Sequence, residues 1–135
     1  MVLAMPRRLS VLILVVLAVG LCSGCPQARK AEVGSSPREP LDDLGQMLKS
    51  LADENRKPPR KLAELEEVEP MIPLAAPLLR SGELIYVWGA AYSPGGKKIV
   101  AYEKKAESSG GWVLLQDGTV QQMSVNEFAS ADKAK

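Results

Sequence analysis

Residues 111–123 read GWVLLQDGTVQQM, two apolar-rich runs separated by the dipeptide Asp117-Gly118. An Asp-Gly pair between two such runs is typical of a β-hairpin with a two-residue type I′ turn, in which both turn residues take a positive φ. The stretch therefore predicts two antiparallel strands, residues 111–116 and 119–123. This hairpin is the strongest local structural signal in the chain, and the rest of the fold prediction is built outward from it.

Two further strands are predicted before the hairpin and one helix after it. Residues 84–88 (LIYVW) are β-branched and aromatic, and residues 98–103 (KIVAYE) form a second run after a turn rich in Gly. We expect the polar residues between this run and the hairpin to form a loop. Ser124 and Glu127 have the spacing of a capping box, which predicts a short helix over residues 125–130.

Upstream of the strands the apolar side chains follow the period of a helix. Six of them recur on one face of residues 41–56: Leu41, Leu44, Met47, Leu48, Leu51 and Ala52. Pro58-Pro59 then predict the end of this helix. Residues 61–67 (KLAELEE) predict a short second helix, with one more turn near 75–80. The predicted fold class is α+β, with one amphipathic helix packed on a small antiparallel sheet of three to four strands.

The beginning of the chain predicts a secretory signal peptide. Arg7 and Arg8 precede the apolar residues 9–21, and small residues follow. This apolar run has 13 residues, whereas a helix needs ~20 to span a bilayer. A cleaved signal is therefore favoured over an uncleaved anchor, which remains the alternative.

Residues 22–25 (CSGC) indicate the kind of signal. Ser23 and Gly24 are the two small residues that precede Cys25. The segment resembles the processing box of bacterial lipoproteins, although Cys22 stands where that family usually has Leu. The resemblance implies cleavage before Cys25, which then becomes a lipid-modified N-terminus in contact with a membrane. Processing at Cys22 and an ordinary cleaved signal are the alternatives.

The chain then divides into four predicted parts. Residues 1–24 are the signal peptide, and residues 25–40 are the lipidated Cys and a flexible tether, because this stretch contains three Pro and few apolar side chains. Residues 41–130 are the small α+β domain, and residues 131–135 are a charged, disordered tail. The location implied is the cell envelope, with the domain facing the periplasm or the exterior.

Charge and composition argue against several classes of function. Without the signal peptide the chain has 15 basic and 16 acidic side chains, so no basic excess is present for nucleic acid. It has no His, and its only two Cys lie in the signal region. The four acids Glu64, Glu66, Glu67 and Glu69 lack the spacing of a calcium loop and are interpreted as a solvated face. Asp117 is interpreted as a turn residue. We predict no catalytic residue, no metal and no cofactor.

The folded region also resembles a known family. A long helix, a Pro-Pro turn, KLAEL, and VAYEKKAESSGGWVLLQDGTVQQMSVNEF (residues 100–128) are similar to the globular part of type II secretion pseudopilins, above all to a pilin-like group abundant in planctomycetes. The similarity covers residues 41–129. It implies a pilin-like domain. The N-terminus departs from the family, because the apolar run ends at Leu21 and contains no acid. Filament assembly is therefore not expected.

These patterns predict a membrane-anchored lipoprotein with a non-enzymatic interaction or structural role. Its partners would be membrane lipid, through Cys25, and an unknown protein. Trp88, Tyr92 and Trp112 are the candidate binding surface, although some of these aromatics are expected in the core. The first alternative is an accessory, pseudopilin-like component of a type II secretion apparatus. The second is a metal-dependent hydrolase, which the lack of His disfavours.

Overall fold

The computed structural model describes residues 37–135. The predicted signal peptide (residues 1–24), Cys25 and most of the predicted tether lie outside these residues. Within them, no helix is long and apolar enough to cross a membrane.

The described residues form an α+β domain built on one four-stranded antiparallel sheet, which confirms the predicted fold class at this level. The strands are ordered β1-β2-β3-β4 across the sheet, so sequence neighbours are also spatial neighbours. The α-helices and strands are, in chain order, α1 (Arg38–Asp53), α2 (Ala75–Ser81), β1 (Leu84–Tyr86), β2 (Ile99–Glu103), α3 (Ala106–Ser109), β3 (Gly111–Leu115), β4 (Val120–Met123) and α4 (Val125–Ser130). Two short 3₁₀ helices, Leu62–Glu67 and Glu69–Met71, lie between α1 and α2.

The helix α1 begins three residues earlier than predicted. Its first residue is Arg38 rather than Leu41, and Pro40 is buried in its first turn. Pro is compatible with this position because the first N–H groups of a helix have no partner within the helix. Arg38 Nε also donates to Asp42 Oδ2 at 3.2 Å, one helical turn on. Residues 38–40, predicted as tether, therefore belong to the domain.

The same helix also ends three residues earlier, at Asp53 instead of residue 56. Asn55 adopts a left-handed conformation, with φ 55°. Its N–H donates to the Ala52 carbonyl at 3.1 Å, and the N–H of Arg56 donates to the Leu51 carbonyl at 2.7 Å. These two bonds form a Schellman motif, in which Asn is the commonest substitute for Gly. The helix is therefore closed by its own C-cap and not by the prolines that follow.

The β3–β4 turn confirms the predicted hairpin but not its predicted type. Gly118 has φ 84°, whereas Asp117 does not have a positive φ. The Leu115 carbonyl accepts from the Gly118 N–H at 3.0 Å, and the Leu115 N–H donates to the Thr119 carbonyl at 2.9 Å. The loop therefore has three residues, 116–118, with Gly in the left-handed position. The type I′ prediction is wrong because the Asp117 carboxylate accepts the Thr119 N–H at 2.9 Å, a local bond that stabilises a different turn.

The two faces of the sheet pack against different elements. On the face that we call the first face, Leu84, Tyr86, Ala101 and Leu114 share one buried cluster with the apolar side of α1. The α1 side chains in this cluster are Leu41, Leu44, Met47, Leu48 and Leu51. This is the helix-on-sheet layer that the sequence predicts.

The opposite, second face carries a smaller cluster. Tyr102, Val113 and Leu115 pack there with Ala106 of α3 and Phe128 of α4. The rings of Tyr102 and Phe128 are 4.8 Å apart between centroids. The sheet is therefore covered on both sides.

A β-bulge in β2 allows consecutive side chains of this strand to pack on both faces of the sheet. Ile99 pairs with Leu115 and Ala101 pairs with Leu114, so Val100 is the extra residue of the strand. Ile99 joins the second cluster, and the two residues after it join the first. All three side chains are completely buried as a result.

Residues 131–135, predicted to be a disordered tail, are ordered and pair with β2. The Asp132 carbonyl accepts the Ile99 N–H at 2.8 Å, and the Ala134 N–H donates to the Ile99 carbonyl at 2.9 Å. Ala134 is buried. The prediction is wrong because it judged the segment by its charges alone, whereas the backbone and one small side chain hold it in place.

The remaining elements lie close to their predicted positions. Ser124 and Glu127 form the predicted capping box, with N–H to side-chain distances of 2.7 and 3.3 Å, and α4 spans the predicted residues. The segment predicted as a loop before β3 contains the single turn α3. β1 ends at Tyr86, because the Ala90 N–H donates to the Val87 carbonyl at 2.9 Å in a turn. Trp88, predicted as the last strand residue, therefore lies in that turn.

Candidate binding surface

The structure does not bring the three predicted aromatic residues together. Trp88 is 37% exposed and packs edge-on against Tyr86, with ring centroids 5.1 Å apart. Tyr92 is half-buried, and its ring centroid lies 6.0 Å from the ammonium of Lys49 on α1. A side chain at Gly118 would lie 3.8 Å from the Tyr92 ring, so this ring lies beside the β3–β4 turn.

Trp112 lies at the opposite end of the sheet from that turn. It pairs with Gln122, and its backbone N–H donates to Glu103 Oε2 at 2.7 Å. Its side chain is half-buried against the first cluster. Because each of the three aromatic rings packs against different residues, they do not form one platform, and Trp88, at 37%, is the most exposed of the three.

An open cleft of about 510 Å³ lies beyond the C-terminal end of α1. It is lined by the loop after α1 and by the first 3₁₀ helix. Pro58 and Val68 supply apolar walls, and Arg56, Lys57 and Arg60 are among the polar side chains that line it. Glu64 and Glu67 also line it, so the cleft combines an apolar wall with three cationic and two acidic side chains.

Trp88 is connected to this cleft through the backbone. The Gly89 N–H donates to the Pro59 carbonyl at 2.9 Å. Gly89 has φ 86°, a conformation that L-residues rarely adopt, and a Cβ there would lie 3.7 Å from Cγ of Arg60. Pro59 itself is buried. This contact holds the turn that carries Trp88 against the loop that carries Arg60, and we call the cleft and Trp88 together the Pro59 surface.

Some charges around the cleft are paired and others are not. Glu64 accepts the Arg60 backbone N–H at 2.8 Å and lies 3.9 Å from the Lys61 ammonium. Arg56 donates to Glu54 at 3.2 Å. Within residues 37–135, no ion pair involves the Lys57 ammonium or the Arg60 guanidinium. Two cationic groups therefore stand in solvent next to an apolar wall.

The four acids considered for calcium do not converge on one point. Glu64 binds the backbone of Arg60, while Glu69 forms a two-bond ion pair with the Arg80 guanidinium, at 2.6 and 2.8 Å. These bonds raise the pKa of Arg80 above its ordinary value. Among the residues that the structure describes, no group of three or more potential ligands could hold a metal ion.

Asp117 is held by its turn. Its side chain is 14% exposed, accepts from the Thr119 N–H and lies 3.1 Å from the Lys97 ammonium. The hydrogen bonds from Thr119, and to a smaller extent Lys97, hold the pKa of the Asp117 carboxyl below its ordinary value. The carboxylate is therefore charged and engaged at neutral pH, as a structural turn residue would be.

Sequence reasoning missed most of the Pro59 surface. It treated Pro58-Pro59 only as the end of a helix. A local signal was present, since two prolines flanked by cations in KPPR form a stiff segment. The contact to Gly89 could not be found locally because it joins residues 30 positions apart.

The chain was also compared with known proteins. No family model matches it, and no curated protein and no solved structure matches it either. The resemblances to lipoproteins and pseudopilins therefore stay predictions from sequence.

Proposed function

We propose that this protein is a lipoprotein, anchored through Cys25, that binds a protein partner through the Pro59 surface and has no enzymatic role. The observation that carries the binding part is the exposed Trp88, held by the Gly89–Pro59 hydrogen bond next to the open cleft. Trp and Arg are the residue types that contribute most often to the energy of protein interfaces. The neighbouring positions of Trp88 and of the cleft that contains Arg56 and Arg60 support a protein ligand.

The position of the surface supports a tethered binding module. The predicted anchor joins the domain at the first residue of α1, whereas the Pro59 surface follows its last turn. A helix of 16 residues is about 24 Å long, so the two ends of α1 separate the attachment point from the binding surface. Between Cys25 and Arg38 there are 12 residues, which reach at most about 40 Å when extended. The attachment point and the binding surface therefore lie at opposite ends of α1.

The chemistry of the surface favours a partner with an anionic, partly apolar segment. Trp88 offers a flat apolar ring, and the nearby guanidinium of Arg60 donates hydrogen bonds to carboxylates in a fork geometry. Lys57 adds a second cation without an ion pair among residues 37–135. A peptide with carboxylates next to apolar side chains would complement all three groups.

The test is site-specific photocrosslinking in native membranes, using the full chain. A photoreactive phenylalanine analogue in place of Trp88 should give a discrete adduct with one protein. The same analogue in place of Leu74, which is 43% exposed but outside the cleft, should not. With that partner purified, Trp88→Ala should weaken binding by at least about 10-fold, whereas Leu74→Ala should leave it unchanged. Equal adducts at both positions would contradict the proposal.

A second candidate is an accessory role in a type II secretion apparatus. It is favoured by α1, which packs along the first face of an antiparallel sheet, as the resemblance to pseudopilin globular domains predicts. Crosslinking followed by purification should then recover secretion-system proteins. Recovery of none of them would count against this candidate and leave the first one standing.

A further inference from the structure

The last strand of the sheet, β4, has one side of its backbone unpaired within residues 37–135. The bond from the Leu115 N–H to the Thr119 carbonyl fixes the alternation of the β3–β4 ladder. Gln121 is therefore a hydrogen-bonded partner of Val113, while Val120 and Gln122 occupy the intervening positions. The N–H and carbonyl groups of these two residues consequently point away from β3, toward the free edge.

This edge lacks the features that usually prevent strands from pairing with other chains. Natural edge strands are blunted by charged side chains, Pro, bulges or very short length. β4 is short, at four residues, but its sequence VQQM has no charge and no Pro, and it pairs with β3 without a bulge. The opposite edge strand, β1, has only three residues and contacts α2 along the chain before it. The two edges of one sheet therefore differ in how open they are.

Apolar side chains border the same edge. Val125, directly after the capping residue, is 37% exposed and is one of the few large apolar side chains in the described region with that much exposure. Val120 and Met123 are half-buried, and so is Trp112, which lies beside Gln122 in the neighbouring strand. A strand added to this edge would cover apolar surface as well as backbone groups.

We propose that β4 pairs antiparallel with β4 of a second copy of this chain, giving a continuous eight-stranded sheet. The open positions determine the register. Val120 would pair with Gln122 of the second copy, and Gln122 with its Val120, which forms four backbone hydrogen bonds around a two-fold axis through Gln121. A second copy fits because the strand is uncharged, so symmetric pairing brings no like charges opposite each other.

The proposed interface is small, and its affinity should be modest. Four backbone hydrogen bonds and a few apolar side chains bury less surface than a standard stable interface. Attachment to one membrane raises the local concentration of copies to about the millimolar range, at which a weak contact becomes populated. Only this enrichment rests on the proposed lipid anchor. The pairing itself is a property of the described domain.

The test measures association of the full chain in detergent by sedimentation equilibrium, over concentrations up to about 1 mM. The parent chain should pass from monomer to dimer. Gln121→Lys places two ammonium groups opposite each other on the two-fold axis and should raise the dimer Kd by at least about 10-fold. Leu74→Lys, at a 43% exposed position before α2, should alter the Kd less than about 2-fold and serves as the control.

Hydrogen exchange supplies a second readout on the unaltered chain. The outward N–H groups of Val120 and Gln122 should become protected as the concentration rises, and the Gln121→Lys variant should lose this protection. A parent chain that stays monomeric up to about 1 mM would overturn the proposal. So would a dimer that the two Lys variants weaken equally. Neither readout involves Cys25 or the Pro59 surface, so failure here is distinguishable from failure of the proposed function.

Discussion

The two faces of the sheet are closed in different ways. The first face is covered mainly by one long helix, α1, whose apolar side chains recur with helical spacing, and buried side chains of residues 65–79 and Ala134 complete this cluster. The second is covered by short pieces from the later part of the chain: α3, α4 and Ala131. A small domain can therefore depend mainly on one amphipathic helix for one layer of its core and on a few scattered contacts for the other. Mutations should therefore have unequal effects on the two faces.

The largest effect should come from the first face. Leu44 is completely buried between α1 and the sheet, and Leu44→Ala should lower the free energy of unfolding by about 3 kcal/mol, because it removes apolar contacts and leaves a cavity. Leu74→Ala, at an exposed position, should change it by less than about 0.5 kcal/mol. Urea unfolding of both variants measures the difference. Equal losses would show that α1 does not form the main core.

A smaller effect should follow from removing the end of the chain. Ending the protein after Ser130 deletes the two backbone hydrogen bonds to Ile99, together with the buried Ala134. At about 1 kcal/mol for each hydrogen bond, the loss should be about 2 kcal/mol. Deleting Lys135 alone is the control and should have no effect. An unchanged midpoint for the longer deletion would restore the prediction of a disordered tail.

The capping box should contribute less again. Ser124→Ala removes the side-chain acceptor for the Glu127 N–H and should destabilise the domain by about 1 kcal/mol through α4. Ser108→Ala is a matched control, because the Ser108 hydroxyl makes only a 3.4 Å contact to the Lys105 carbonyl. Thermal unfolding of both variants gives the comparison. If the two variants behave alike, the cap contributes nothing to the second face.

The smallest predicted effect is on the pH dependence of stability, and it appears only in alkali. Each face buries one tyrosine, and burial, with a smaller contribution from Glu107, raises the pKa of Tyr102 to about 12. Burial raises the pKa of Tyr86 on the first face still further. Because the folded-state pKa exceeds the unfolded value of about 10, the stabilisation is complete below pH 10 and is lost as the pH rises toward 12.

Tyr102→Phe isolates the contribution of the second face. It removes one titrating group, so the urea midpoint of the variant should fall less steeply than that of the parent between pH 10 and pH 12. The hydrogen bond from Tyr102 to Glu107 is lost at every pH, and the slope rather than the absolute stability is therefore the relevant quantity. Parallel curves would contradict the assigned pKa.

Sequence reasoning succeeded where structure is local and periodic. The apolar face of α1, the hairpin and the Ser124–Glu127 cap depend on residues within a few positions of each other. It failed at the end of α1, because the left-handed conformation of Asn55 ends the helix before the prolines are reached. It also failed at residues 131–135, because their partner strand, β2, is more than 30 positions away and no periodic pattern predicts the pairing.

The candidate site was less predictable than the fold. Of the three predicted aromatic residues, Trp88 is 37% exposed, whereas Tyr92 and Trp112 are packed against separate parts of the domain. The hydrogen bond from Gly89 to Pro59, which joins the turn of Trp88 to the loop that lines the cleft, links distant positions and cannot be predicted from composition or spacing. The position of β4 at the sheet edge likewise depends on strand order, which emerges only from the assembled sheet.

The most direct test of the central claim, that a binding domain is carried on a lipid anchor, is the intact mass of the protein extracted from native membranes. A Cys25→Ala variant is measured beside it. The account predicts a mass equal to residues 25–135 plus a diacylglyceryl group, and loss of that species in the variant. An unmodified full-length mass, unaffected by the substitution, would contradict it.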